Sequence, residues 1–147
     1  NSAPATITRL IDMGIEPFLV SSSIIGVLAQ RLVRRICPDC RKSYQPHPEQ
    51  LRELGIKEVS FRKLDRRFFR GDGCDNCRQT GYRGRIGIHE LLVMSEGVKN
   101  TILESSDSDT IRKQGLKEKM ITLRRDGVNK ILHGLTTAEE ILTITSE

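Results

Sequence analysis

Two Cys-x-x-Cys pairs constrain this chain more than any other feature. Cys37 and Cys40 flank Pro-Asp, Cys74 and Cys77 flank Asp-Asn, and the 147 residues contain no other cysteine. Each pair can present two thiolates from one tight turn. Two such turns supply the four tetrahedral sulfurs of a structural zinc site. Cys37, Cys40, Cys74 and Cys77 are therefore the candidate metal ligands, with Zn2+ as a structural cofactor. The spacer Arg41–Gly73 is 33 residues long. That exceeds the roughly 15–20 of a common zinc ribbon, so an ordinary ribbon is not implied. A redox dithiol needs one pair on a βαβ scaffold rather than two matched pairs. Structural disulfides need an oxidising compartment, for which nothing in the chain argues.

Such a staple matters because the apolar supply is modest. Hydrophobic residues make up 37% of the chain, with four Phe, two Tyr and no Trp, enough for a small aliphatic core. The best apolar stretch, Phe18–Ala29, is interrupted by Ser21, Ser22, Ser23 and Gly26, and falls short of a membrane helix. With no signal peptide visible either, the expectation is a soluble, cytosolic protein.

The net charge of +5 is unevenly spread. Residues 1–30 carry one Arg against two acids (−1), residues 31–85 carry 15 Lys/Arg against 7 Asp/Glu (+8), and residues 86–147 carry 8 against 10 (−2). The basic charge is concentrated around the cysteines. It has two readings: a face for anionic partners such as nucleic acid, anionic lipid or acidic protein, or a solvated face that balances a doubly negative zinc–tetrathiolate site.

Along the chain, Pro4 and the spacing of Ile7, Leu10 and Ile11 predict a helix stopped by Gly14. The abrupt helical opening is expected of a fragment cut from a longer chain. Pro17 opens a second, short amphipathic helix through Phe18, Leu19 and Ile25. From Gly26 the pattern fits either a strand buried on both faces near its start or continuing helix. After the turn cluster Gly81–Arg85, the run Ile86, Ile88, Leu91, Val93 reads as extended. Two extended runs flanking the cysteines suggest a hairpin interrupted by the metal module, which brings Cys37 and Cys77 close. Within the spacer, Glu49–Leu54 is helical and Phe68 and Phe69 are expected to pack beside the metal rather than stack nucleotides. The C-terminal third reads as helices, beginning near Ser95 or Gly97, capped by Ser108, after Thr122, and at Thr137 with Glu140 behind it.

Catalytic signatures are missing. There is no Gly-Lys-Ser/Thr to cradle phosphate, no His-Glu-x-x-His and no Gly-x-Ser-x-Gly. Of three histidines, His89 with Glu90 in a predicted strand reads as structural, and His133 suits a helix C-terminus. His47 is a weak accessory metal ligand beside four thiolates. No catalytic or nucleotide-binding residue is assigned, and the chain alone is expected to be inactive.

Several stretches resemble a known family. Asn1-Ser2-Ala3 with Ile7–Leu10 resembles the end of the His box of secretion ATPases. Asp12–Ser23 and Gly26–Arg34 are similar to the type II secretion system ATPases. So are both cysteine pairs, Gly81–Arg85, Gly87–Leu92, Leu123–Gly127, Lys130, Gly134 and Thr136–Glu140. Type IV pilus assembly ATPases share this plan, while Glu16–Leu19 and Cys37–Cys40 favour the secretion branch.

The resemblance implies an α+β fold: the tail of a RecA-like α/β ATPase domain (1–36), an inserted tetracysteine zinc-binding subdomain (37–80), a returning strand (81–94) and a C-terminal helical subdomain (95–147). It further implies a hexameric motor that uses ATP and Mg2+ through Walker motifs lying upstream in that family. Neighbouring ATPase subunits and inner-membrane platform proteins would be partners, with possible anionic lipid contact, at the cytoplasmic face of the inner membrane. Arg9 and Gln30 match family positions without an assigned role. The alternative is a zinc-ribbon-like nucleic-acid-binding module, for which no groove-reading element stands out.

Overall fold

A computed structural model describes residues 2–146. Asn1, the trailing residue of the His-box resemblance, lies outside them. The fold is α+β. Its elements run α1 (Ala3–Asp12), α2 (Pro17–Ser23), β1 (Gly26–Ile36), β2 (Arg41–Tyr44), α3 (Pro48–Glu53), α4 (Glu58–Lys63), β3 (Phe68–Gly71), β4 (Tyr82–Val93), α5 (Glu96–Glu104), α6 (Ser108–Lys117), α7 (Leu123–Leu132) and α8 (Ala138–Thr145). None of the described helices is long and apolar enough to cross a membrane. β1 pairs with β4 and β2 with β3, giving two two-stranded sheets. Cys37 N–H bonds to Gly81 C=O at 2.9 Å and Met94 N–H to Ile25 C=O at 3.0 Å, so β1 and β4 run in opposite directions. The expected hairpin around the cysteines is present, and strand rather than helix follows Gly26.

The chain divides into two compact units. The first combines the chain up to Gln30 with His89–Leu123. Its core is aliphatic: Ala3, Ile7, Val20, Leu92, Met94, Val98, Ile102 and Ile111 are all buried. α1 begins where Ser2 Oγ accepts the Ala5 N–H, with proline in the first turn, as the sequence suggests. Ser95 caps α5 through the Val98 N–H. For α6 the cap is Asp107, one residue before the expected Ser108, because the Asp107 carboxylate reaches the Thr110 N–H. The last residues of β4 alternate cleanly: Glu90 and Leu92 are buried while His89, Leu91 and Val93 are exposed. Glu90, only 3% exposed, accepts the main-chain N–H groups of Ala3 (2.8 Å) and Leu123 (3.3 Å). That is the structural role expected of it.

Two expectations need correction here. α2 turns Val20 and Ser21 inward and leaves Phe18 and Leu19 exposed, so its burial stripe is the opposite of the one expected. β1 is not buried on both faces near its start, since Leu28 and Gln30 are exposed and Gly26, Val27 and Ala29 only half-buried. A two-stranded ribbon has too little cover for double burial.

The second unit combines Arg31–Ile88 with the chain from Arg124 onward. Its buried apolar residues include Val33, Ile36, Leu51, Phe61, Phe68, Ile88, Ile131 and Ile141. Phe61 packs edge-on against Phe68, with ring centroids 5.4 Å apart, and Tyr44 meets Phe68 at 6.2 Å. α8 is tied to β1 by Arg34, whose main-chain N–H and guanidinium both reach the Glu140 carboxylate. The same guanidinium lies 4.0 Å from the centre of the Tyr82 ring, and Tyr82 Oη is 2.8 Å from Thr137 Oγ1. Thr137 also caps α8 through the Glu140 N–H, as its sequence predicts. Gly127 is required where α7 meets α8: a β-carbon there would come within 2.7 Å of Ile141.

Candidate metal centre

The cysteines are delivered by two different kinds of turn. Cys37 follows the last residue of β1 and Cys40 immediately precedes β2, so one turn joins the two sheets. Cys74 and Cys77 bracket a single 3-10 turn, Asp75–Cys77, after which Arg78 and Gln79 adopt left-handed backbone with φ of 53° and 63°. The turn is closed by bonds from Gln79 N–H to Cys74 C=O (2.9 Å) and from Thr80 Oγ1 to Cys77 C=O (2.7 Å). The two turns are also laced together. Asp39, inside the first pair, accepts from Asn76 of the second at 3.1 Å and from Arg83 at 3.2 Å.

A close backbone crossing holds the second turn against the β2–β3 hairpin. A β-carbon on Gly71 would stand 2.1 Å from the Gly81 carbonyl oxygen, and one on Gly81 would stand 2.5 Å from that of Gly71. Side chains are excluded from both positions. This crossing sets Gly81 to accept from Cys37 N–H while its own N–H donates to Cys77 Sγ at 3.3 Å.

The four Sγ atoms all lie within 4.8 Å of one another. Cys37 to Cys74 and Cys40 to Cys77 are each 3.8 Å, and Cys74 to Cys77 is 3.6 Å. Disulfide sulfurs are about 2.05 Å apart, and all four cysteines are free. Thiolates bound at about 2.3 Å around a tetrahedral zinc stand roughly 3.8 Å apart, so the donor set fits that ion. Cys37 and Cys77 are buried and Cys40 and Cys74 half-buried. Main-chain N–H groups point at the sulfurs: Gly73 to Cys40 at 3.3 Å, Cys74 to Cys77 at 3.2 Å and Gly81 to Cys77. Such donors stabilise thiolate charge.

The electrostatics of the thiols alone are lopsided. Burial pushes the Cys77 thiol up, yet the Cys74 and Gly81 N–H groups and the neighbouring thiols outweigh it and bring it down to about 6. Cys40 is pushed up to about 12, chiefly by desolvation, against the Gly73 N–H and with the other three thiols adding to the rise. Sulfurs this close cannot all ionise without a cation among them. The low thiol is the buried Cys77, unlike the accessible nucleophile of a thiol oxidoreductase.

His47 is absent from the cluster; its main-chain N–H meets Gln50 Oε1 at 3.4 Å, at the start of α3. His133 follows α7, with Nδ1 2.7 Å from the Asn129 carbonyl. Phe68 is buried in the spacer as expected, whereas Phe69 is half-exposed. Arg9 and Gln30 are exposed, on α1 and β1. The β2–β3 hairpin (Arg41↔Gly71 through Tyr44↔Phe68) escaped the sequence reading. The signal available was Phe68-Phe69 ahead of Gly71, an aromatic strand pattern diluted by its arginines.

Comparison with known proteins decides the family. The model of the family described as type II/IV secretion system protein matches residues 1–143. The chain belongs to that family. Secretion-family relatives align along its whole length: type II secretion system protein E of Aeromonas hydrophila is 47% identical over 147 residues. The type IV pilus assembly ATPase PilB of Thermus thermophilus is 45% identical and type II secretion system ATPase E of Vibrio cholerae 42%, again over the entire chain. The chain spans 28% of the two type II proteins and 16% of the pilus protein. The two kinds of secretion-family relative thus fall within the same range of identity.

Proposed function

We propose that this chain is the zinc-stabilised, non-catalytic module of a type II secretion ATPase. Cys37, Cys40, Cys74 and Cys77 would hold the Zn2+, which when bound neutralises thiolate charge and cross-links the two turns. The observation that carries the reading is the convergence of four sulfurs from turns 33 residues apart into one tetrahedral-sized cluster. The Glu16–Leu19 and Cys37–Cys40 stretches support the secretion branch over the pilus branch. The proposed division remains 1–36 as the end of the RecA-like domain, 37–80 as the metal lobe, 81–94 as the returning strand and 95–147 as the helical part.

In this reading ATP and Mg2+ are handled by parts of the motor other than this chain, since it has no phosphate-binding Gly-Lys-Ser/Thr. Its own work is mechanical. The lobe meets neighbouring subunits of a hexamer, platform proteins or anionic lipid at the cytoplasmic face of the inner membrane, where the +8 segment favours acidic surfaces. The test replaces Cys37 or Cys74 with Ser in the full-length motor. Bound zinc should fall and protein export fail, while ATP hydrolysis by the intact enzyme confirms the parent activity. Unchanged metal content and unchanged export in both variants would overturn the proposal.

A further inference from the structure

We infer that a groove on the second unit is a docking site for an acidic peptide segment bearing one bulky apolar residue, carried by a partner protein. This rests on the lobe being a contact module, and it names the chemistry of the contact. The groove, of about 520 Å³, lies between the loop after α4, the exposed face of the β2–β3 hairpin and the end of α7. Arg66 and Arg67 contribute guanidinium groups to its lining, Phe69 and Leu132 apolar surface, and His133 an imidazole. Ser43, the cross-strand partner of Phe69, adds a hydroxyl.

The lining carries more basic than acidic groups. Among the described residues Arg66 and Arg67 enter no ion pair, whereas nearby Arg62 pairs with Glu58, and Lys42 and Arg70 with Asp72. Asp65 is the single acid on the lining, against two arginines and a histidine. Three of the last four carbonyls of α7, an end that would repel an acid, already accept hydrogen bonds. His133 N–H bonds to Asn129 C=O, Gly134 N–H to Ile131 C=O, Leu135 N–H to Lys130 C=O, and Arg41 donates to Gly134 C=O at 3.2 Å.

Arg41 also lies over the Phe69 ring at 5.2 Å, and a β-carbon on Gly134 would touch that ring at 3.1 Å. The ring is flanked by protein and has little face free for a nucleobase. Phe69 and Leu132 together give the lining apolar surface, suited to an aliphatic side chain. Guanidinium forks beside apolar surface suit carboxylates flanking a leucine.

The test uses the zinc-loaded chain, with metal content measured in every sample, and a fluorescein-labelled Asp-Glu-Leu-Glu-Asp peptide followed by anisotropy. Saturable binding is expected, weakening as salt is raised. R66E/R67E should weaken it at least about tenfold, while R52E, on the exposed side of α3, leaves it within about twofold. Amide shifts on binding should centre on Ser43, Phe69, Leu132 and His133. Equal binding of Asp-Glu-Ser-Glu-Asp would overturn the apolar half of the inference. Displacement of the peptide by equimolar pyrophosphate would overturn it in favour of a phosphate site. Arginine-dependent binding to phosphatidylglycerol vesicles without peptide binding would overturn it in favour of a lipid surface. Failure to bind peptide with zinc and fold intact sinks the groove alone; loss of zinc from unmodified protein sinks the staple on which it rests.

Discussion

The two units solve the same problem with different means. The first buries eight aliphatic or small residues in one contiguous cluster, with Ala3, Ile7, Val98 and Ile111 fully buried. The second also buries large apolar side chains, among them Phe61, Phe68, Ile88, Ile131 and Ile141, but beside α7 and α8 it is built from short pieces, the six-residue α3 and α4 and the four-residue β2 and β3. Helices and strands this short carry little stability of their own. A metal that joins two turns across a 33-residue spacer through four bonds compensates for that. The comparison teaches that the cysteines stand where the secondary-structure elements are shortest.

Chelation breaks the comparison most sharply. Structural zinc in small modules contributes about 10–16 kcal/mol to folding at neutral pH. Removing it should unfold the segment between Cys37 and Gly81, seen as lost amide protection in hydrogen exchange, while amides of α1, α5 and α6 remain protected. Equal loss in both units would contradict the division of labour. Ile7→Ala is the converse experiment. It leaves a cavity in the first unit and should cost about 2–5 kcal/mol in denaturant melts, with zinc stoichiometry unchanged.

The legibility of the molecule follows the same line. Helices α1, α5 and α8 were readable because their caps and proline are local signals: Ser2 lies before the Pro4 turn, Ser95 takes the Val98 N–H, and Thr137 takes the Glu140 N–H. The tetracysteine cluster was readable because metal chemistry demands convergence whatever the spacer does. The face of α2 was not, since Phe18 and Leu19 look like core residues and only tertiary packing chooses Val20 and Ser21. Nor was the β2–β3 hairpin, whose strands are four residues each and mostly exposed. The Gly71–Gly81 crossing depends on two glycines ten residues apart, and no periodicity announces it.

Smaller effects sharpen the account of the second unit. Burial pushes the Glu140 carboxyl up, but bonds from the Arg34 side chain and main chain outweigh it and hold the group below its ordinary 4.5. Its stabilisation is therefore present above about that pH and is lost as pH falls through the lower folded value. Arg34→Met should cost about 1 kcal/mol at pH 7, and the difference from the unmodified chain should shrink on acidification. A difference that grew instead would remove the ion pair from the account. Thr137→Ala, which deletes the α8 cap and the partner of Tyr82 Oη, should cost a further amount of about 1 kcal/mol, read from the thermal midpoint with zinc retained.

The most direct measurement is X-ray absorption at the zinc edge on the protein purified with its metal, alongside native mass. The account predicts one zinc per chain with four sulfur neighbours at about 2.3 Å and no nitrogen or oxygen in the shell. Protein that folds with no metal, or a shell containing a histidine or fewer than four sulfurs, would contradict it.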